Sequence, residues 1–227
     1  MDILSYKEED LILDEGVNDP GIFKAIILAG GPGSGKTVVA RALGLASMGL
    51  RVVNSDMYFM HLMKRKGLSL KMPPEEFERK EVQRARAKEL TKAKQKNYLE
   101  GRLGLIIDGT GKNADKILKQ KAGLEELGYD TYMIFVNTSL DVALQRNAAR
   151  SRSLAEPIVV KSWKDVQANI GKFSNMFRAG FIVVDNNNAG EDVFNDVWKR
   201  VKGLLRKKVQ NTRALNWMAA ELARKKR

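Results

Sequence analysis

The sequence predicts an α/β protein built on a doubly wound, parallel sheet of five strands, with a helical insertion and a basic helical tail. Two observations predict it. Short apolar runs rich in Ile and Val recur between Gly, Asn and Asp: "AIILAGG" (25–31), "RVVNSD" (51–56), "LGLIIDGTG" (103–111), "TYMIFVNTS" (131–139) and "GFIVVDNNN" (180–188). Their apolar centres are continuous rather than alternating, as in strands buried on both faces of a parallel sheet. Helical patterns separate most of them, at 36–48, 74–100, 114–127 and 140–152. Such alternation argues for right-handed βαβ units closing into an open sheet.

The first run leads into "LAGGPGSGKTVVARAL" (28–43). Gly30, four residues, then Gly35-Lys36-Thr37 is the P-loop pattern, here between a strand and a helix. Glycines let backbone N–H groups turn inward onto phosphate oxygens. Gly31, Gly33, Ser34, Gly35, Lys36, Thr37 and Val38 are therefore the predicted nucleotide contacts. Lys36 is expected to bridge the β- and γ-phosphates of ATP, and Thr37 to offer its hydroxyl to Mg²⁺. The second run ends on Asp56 in "VVNSDMYF", at the strand edge that faces the ligand crevice of such sheets. A carboxylate there suits a general base that takes the proton of an attacking hydroxyl. The alternative is an Asn-Ser-Asp turn that caps the next helix.

Residues 57–103 are too many for a simple crossover. "MPPEEFERKEVQRARAKELTKAKQKNYL" reads as one long helix entered through Pro73-Pro74, with acids first and bases later, projecting as a substrate-side insertion. The third run ends "IIDG": Asp108 without a second acid, which argues against a hydrolysing motor. The helix at 140–152 is capped by Thr138 or Ser139, with Asp141 in its first turn. It is expected to place Arg146 and Arg150 on one face at i, i+4 spacing. Asn186–Asn188 read as a turn that could also edge an adenine. Trp163 could stack on a base, or serve core packing. Residues 192–227 read as two helices broken near Asn211. Leu204, Leu205, Val209, Leu215, Met218 and Leu222 form their expected apolar stripe.

Composition narrows the function. The 227 residues suit one domain, 1–198, with the insertion at about 57–103 and a tail at 199–227. With no Cys and one His, thiolate and multi-histidine metal sites are excluded; His61 is expected partly buried on a helix. No apolar run approaches a membrane span, and the acidic N-terminus is unlike a signal peptide, so a soluble cytoplasmic protein is expected. The net charge of +13 is unevenly placed. Residues 1–20 carry seven acids and one Lys, residues 62–102 thirteen Lys/Arg against six Glu, and residues 199–227 eleven Lys/Arg against Glu221 alone. Two basic blocks, the insertion and the tail, point to a polyanionic partner, with DNA as the expected acceptor, or else to solvated basic helices.

"GGPGSGKT" followed by "VVNSDMYF", "LIIDGTGKNADKI" and "NTSLDVALQRNAARSR" resembles the zeta-toxin and polynucleotide-kinase branch of P-loop kinases, over roughly residues 22–186. Phage-encoded kinases of hydroxymethylated bases in DNA are a close comparison; such an enzyme would work in the bacterial host's cytoplasm. The resemblance implies ATP and Mg²⁺ as cofactors and Asp56 as the base. It places Asp108 near the metal or acceptor, Thr110 and Arg152 at the acceptor, and Arg146, Arg150 and Arg152 in an arginine-bearing lid that stabilises the transferred phosphoryl group. The expected activity is γ-phosphoryl transfer to a hydroxyl of a polynucleotide, at a 5′ end or on a hydroxymethylated base, with acceptor specificity in 57–103. The alternatives are a zeta-toxin-like kinase of a nucleotide sugar or nucleoside, and a P-loop ATPase that binds nucleic acid.

Overall fold

In the computed structural model, residues 17–70, 73–150 and 153–225 are described. Five strands form one sheet: β1 (Lys24–Ala29), β2 (Leu50–Val53), β3 (Gly104–Asp108), β4 (Asp130–Asn137) and β5 (Phe181–Asp185). All pairings are parallel, and the spatial order is β2-β3-β1-β4-β5. β1 lies at the centre and is buried along its whole length. Its residues alternate between two cores. Ala25, Ile27 and Ala29 pack on one face with Leu105, Ile107, Met133 and Phe135. Ile26 and Leu28 pack on the other with Ile106, Ile134, Val136 and Ile182. Helices cover both faces, which is why every central strand reads as a continuous apolar run.

The helices are α1 (Lys36–Ala42), α2 (Ser55–Arg65), α3 (Phe77–Glu100), α4 (Ala114–Glu126), α5 (Leu140–Ala148), α6 (Glu156–Gln167), α7 (Ile170–Phe177), α8 (Glu191–Leu205) and α9 (Thr212–Lys225). Several differ from expectation. The helix predicted over 36–48 stops at Ala42: Gly44 adopts φ 57°, and a short 3-10 turn, Ala46–Met48, completes the connection. The helix predicted over 140–152 ends at Ala148, so Arg150 lies beyond it and shares no helix face with Arg146. Arg152 lies outside the described residues. The pair α6–α7 between β4 and β5 was not predicted.

The long helix predicted after Pro73-Pro74 forms as α3, but it does not project alone: α2 packs along it as a hairpin. α2 and α3 pack around a small core of Phe59, Met63, Leu68 and Ala87. Lys80 is buried there and donates to the Pro73 carbonyl at 2.7 Å. His61 lies on α2 but is exposed, correcting the expectation of partial burial.

The tail breaks where expected: Asn211 accepts the Arg213 N–H through its side chain at 2.9 Å. The boundary drawn at 198/199 falls inside α8, whose Val197, Val201 and Leu205 are buried in one of the two sheet cores. α9 caps the other core through Ala214, with Trp217 edge-on to Phe23 at 5.5 Å. Leu215 and Leu222 of the predicted stripe are exposed instead. No described helix is long and apolar enough to cross a membrane.

Candidate active site

The loop after β1 is shaped by glycines that no other residue could replace. Gly33 and Gly35 hold φ of 79° and 85°. A Cβ on Gly33 would collide with the Ala143 carbonyl, and one on Gly35 with the Asn186 amide. The loop is tied to its surroundings: Gly30 N–H donates to Thr110 O at 3.1 Å, and Asn186 Nδ2 donates to Ser34 O at 2.8 Å. Asn186 itself is buried and donates its backbone N–H to Asn137 O at 2.8 Å. It therefore braces the loop from the end of β5, where the sequence suggested a turn.

Lys36 folds back over the loop mouth, donating to the carbonyls of Gly30 at 2.8 Å and Gly31 at 3.2 Å. Burial lowers its pKa, Asp108 and Asp56 raise it, and Arg150 lowers it further. Asp108 shows the mirror image: burial raises its pKa, Lys36 and Arg150 lower it, and Asp56 raises it. Lys36 and Asp108 thus lie within electrostatic reach of each other, and each also feels Asp56 and Arg150. Asp108 stands beside Leu28 of β1 in register, directly next to the loop.

Asn54, the first residue of the expected Asn-Ser-Asp turn, links the two acids. Its Oδ1 accepts the Asp56 N–H at 2.7 Å, capping α2, and its Nδ2 donates to Asp108 at 2.7 Å. The cap foreseen as the alternative to a catalytic role is thus made by Asn54, and the Asp56 carboxylate takes no part in it. Arg84 of α3 approaches that carboxylate at 3.6 Å and lies over the Phe59 ring at 4.0 Å. Nothing in the basic run of α3 distinguishes Arg84 by sequence; only the α2–α3 packing selects it.

Arg146 is placed differently from expectation. Its guanidinium fork donates to Asn186 O at 2.7 Å and Asn187 O at 2.9 Å, so it holds the β5 loop beside the P-loop. α6 and α7 add further ties. Trp163 packs against Gly31 and donates to Thr138 O at 2.8 Å. Asn169 donates to the Gly111 and Lys112 carbonyls, both at 3.1 Å. Thr37, Val38 and Thr110 are exposed at the crevice.

These residues fit a nucleotide with its metal. The glycine cradle has room only for backbone, and a desolvated cation sits at its mouth. Among the described residues no group of three acidic, His or Cys side chains could hold a metal alone. Thr37 and Asp108 are the available oxygens, which suits Mg²⁺ held largely by phosphates.

The basic tail lies elsewhere. Arg206, Lys207 and Lys208 line a groove with Pro20, Ile22 and Lys24, at the start of β1. The P-loop follows the other end of that strand, so the tail groove is at the opposite edge of the sheet.

A family model described as an AAA domain matches residues 26–172. No curated protein sequence gives a significant match. Among solved structures, a chain of the PezAT chromosomal toxin–antitoxin system of Streptococcus pneumoniae superposes with TM-score 0.54 at 17% identity, covering 81% of this chain and 87% of that one. A protein from Chloroflexus aurantiacus j-10-fl, described as a kinase, gives 0.52 at 17% identity, covering 81% and 96%. A chain of the Pnkp1/Rnl/Hen1 RNA repair complex gives 0.51 at 20% identity, covering 67% and 46%. At these identities the likeness shows the fold alone. With a family match over well over half of its length, the chain belongs to this AAA-domain family.

Proposed function

We propose that the protein is an ATP-dependent kinase that transfers the γ-phosphoryl group to a hydroxyl of a polynucleotide. The observation that carries this reading is Lys36 folded over the glycine loop, with Asp108 beside the end of β1 and Asp56 tied to it through Asn54. The loop N–H groups of Gly31, Gly33, Ser34 and Gly35, with those of Lys36, Thr37 and Val38, bind phosphate oxygens. Lys36 leaves the Gly30 and Gly31 carbonyls and neutralises phosphate charge. Thr37 and Asp108 would hold Mg²⁺, which would supply neutralisation of phosphate charge. Asp56 accepts the proton of the attacking hydroxyl. Arg150 faces the transferred group from the chain following α5, and Thr110 extends the site toward the acceptor.

The acceptor lies between the sheet edge and the α2–α3 hairpin, because that hairpin borders Asp56 directly. Its basic composition favours a polyanion there. The tail, at the opposite edge, is a separate basic surface that only a long nucleic acid would reach together with the site. The test is incubation with γ-labelled ATP, Mg²⁺ and a panel: 5′-hydroxyl oligonucleotides, hydroxymethyluracil DNA, nucleosides and UDP-sugars. Label on an oligonucleotide supports the reading. Label only on a nucleoside or sugar moves the protein to a small-molecule kinase. Release of free phosphate alone makes it an ATPase.

A further inference from the structure

We propose that Arg84 reads a phosphate group on the acceptor, next to the hydroxyl that is phosphorylated, and that its ion pair with Asp56 is the acceptor-free arrangement of this reader. The inference rests on the phosphoryl-transfer reading above.

Arg84 is fixed in place without being used. Its guanidinium lies 4.0 Å from the centroid of Phe59, a ring that is 1% exposed and anchored with Met63, Leu68 and Ala87. Stacking fixes the plane of a guanidinium and leaves its edge donors directed outward in that plane. Those donors make no hydrogen bond among the described residues. The two carboxylates nearest, Asp56 and Glu81, stand at 3.6 and 3.9 Å, beyond hydrogen-bond length.

Arg146, by contrast, spends both fork nitrogens at 2.7 and 2.9 Å. A closed structural ion pair in this protein, Lys24 with Asp130, measures 2.6 Å. Arg84 is also reachable, with 26% of its side chain exposed. A stacked, preoriented fork with open donors, beside the carboxylate proposed as base, matches the geometry of a phosphate. The phosphate would take the donors while Asp56 turns to the hydroxyl. This requires the acceptor to carry its anion near the reacting oxygen, as a nucleotide does and a neutral sugar does not.

The experiment measures calorimetric affinity of the full chain, with a non-hydrolysable ATP analogue and Mg²⁺ present, for thymidine and its 3′- and 5′-monophosphates. Wild type should bind one monophosphate about 10- to 100-fold more tightly than thymidine, the range of a charge-assisted pair. Arg84→Gln should reduce that preference to within about threefold, and Arg84→Lys, which keeps charge but loses fork and stack, should restore only part of it. Lys119→Gln, at an exposed position of α4, controls for lost charge and should leave the preference intact. Thermal unfolding confirms that each variant folds. A wild type without the preference, or an Arg84→Gln variant that keeps it, overturns the proposal. Labelled transfer to the same ligands runs in parallel. Arg84-dependent binding without transfer would sink the kinase reading and leave the anion reader standing. Transfer whose phosphate preference survives Arg84→Gln would do the reverse.

Discussion

Neutralising the tail cations at the sheet's far edge should leave phosphoryl transfer to a short acceptor unchanged. The perturbation is the triple substitution Arg206→Gln, Lys207→Gln, Lys208→Gln, at three exposed residues. Truncation is the poorer test, because it would strip Val201, Leu205 and Ala214 from the two cores. The groove borders Lys24 at the start of β1, and the P-loop follows Ala29 at its end. At ~3.3 Å per residue the separation is about 17–20 Å. Each unit charge at ~20 Å in water acts with only ~0.2 kcal/mol. At 0.15 M salt the ~8 Å Debye length cuts this about tenfold, so three charges sum to below ~0.1 kcal/mol, a factor of about 1.2 in rate. At 0.01 M salt, where the Debye length is ~30 Å, the sum rises to ~0.3 kcal/mol, still below a factor of about two. The assay is kcat/KM for ATP and a dinucleotide acceptor at both salt concentrations. A loss above about fivefold at 0.15 M would refute the placement of the tail away from the site. With long DNA, a tail that contacts phosphates should instead lose about 0.7–0.9 units of salt slope per contact removed.

Two further predictions concern the supports of the site. Burial raises the pKa of Asp108 above its ordinary 3.8, so the native state holds that proton more tightly than the unfolded state. Stability should therefore fall as pH rises from about that value through the raised folded one, and Asp108→Asn, which can still accept from Asn54, should melt higher than wild type near pH 7 while losing activity. The gain should vanish below about pH 4 in a thermal-melt series; a less stable variant at pH 7 would contradict the argument. Asn186→Ala leaves the Ser34 carbonyl without its buried donor and should cost about 1–3 kcal/mol. Chemical denaturation with and without ATP checks this, with weakened nucleotide protection as the expected companion.

The parts of this protein that were legible in sequence are those with a strong local signature. β1, β3 and β4 carry continuous apolar runs because helices cover both faces of the sheet. The P-loop is legible because backbone geometry at Gly33 and Gly35 excludes side chains. What the sequence hid depends on contacts between distant segments. Arg84 reaches Asp56 only because α3 folds back on α2, and the small core that makes them fold back is spread over Phe59, Met63, Leu68 and Ala87. Asn186 and Arg146 grip the P-loop and the β5 loop across 152 and 40 residues of chain. The end of α5 was misjudged because "NAARSR" remains helix-compatible in composition, whereas the fold ends the helix at Ala148 and Asn147 turns its side chain to Leu154. The tail's charge suggested a role at the acceptor. The packing of α8 and α9 on the two cores placed its Arg206–Lys208 segment at the opposite edge instead.

The most direct test of a kinase with Asp56 as its base is single-turnover transfer from γ-labelled ATP by wild type and Asp56→Asn, with ATP affinity measured on the same samples. The substitution keeps side-chain shape, and the α2 cap is made by Asn54, so the fold and the nucleotide cradle should persist. The account predicts ATP affinity within a few-fold of wild type and a transfer rate lower by roughly 10² or more. Transfer at the wild-type rate by Asp56→Asn would contradict it.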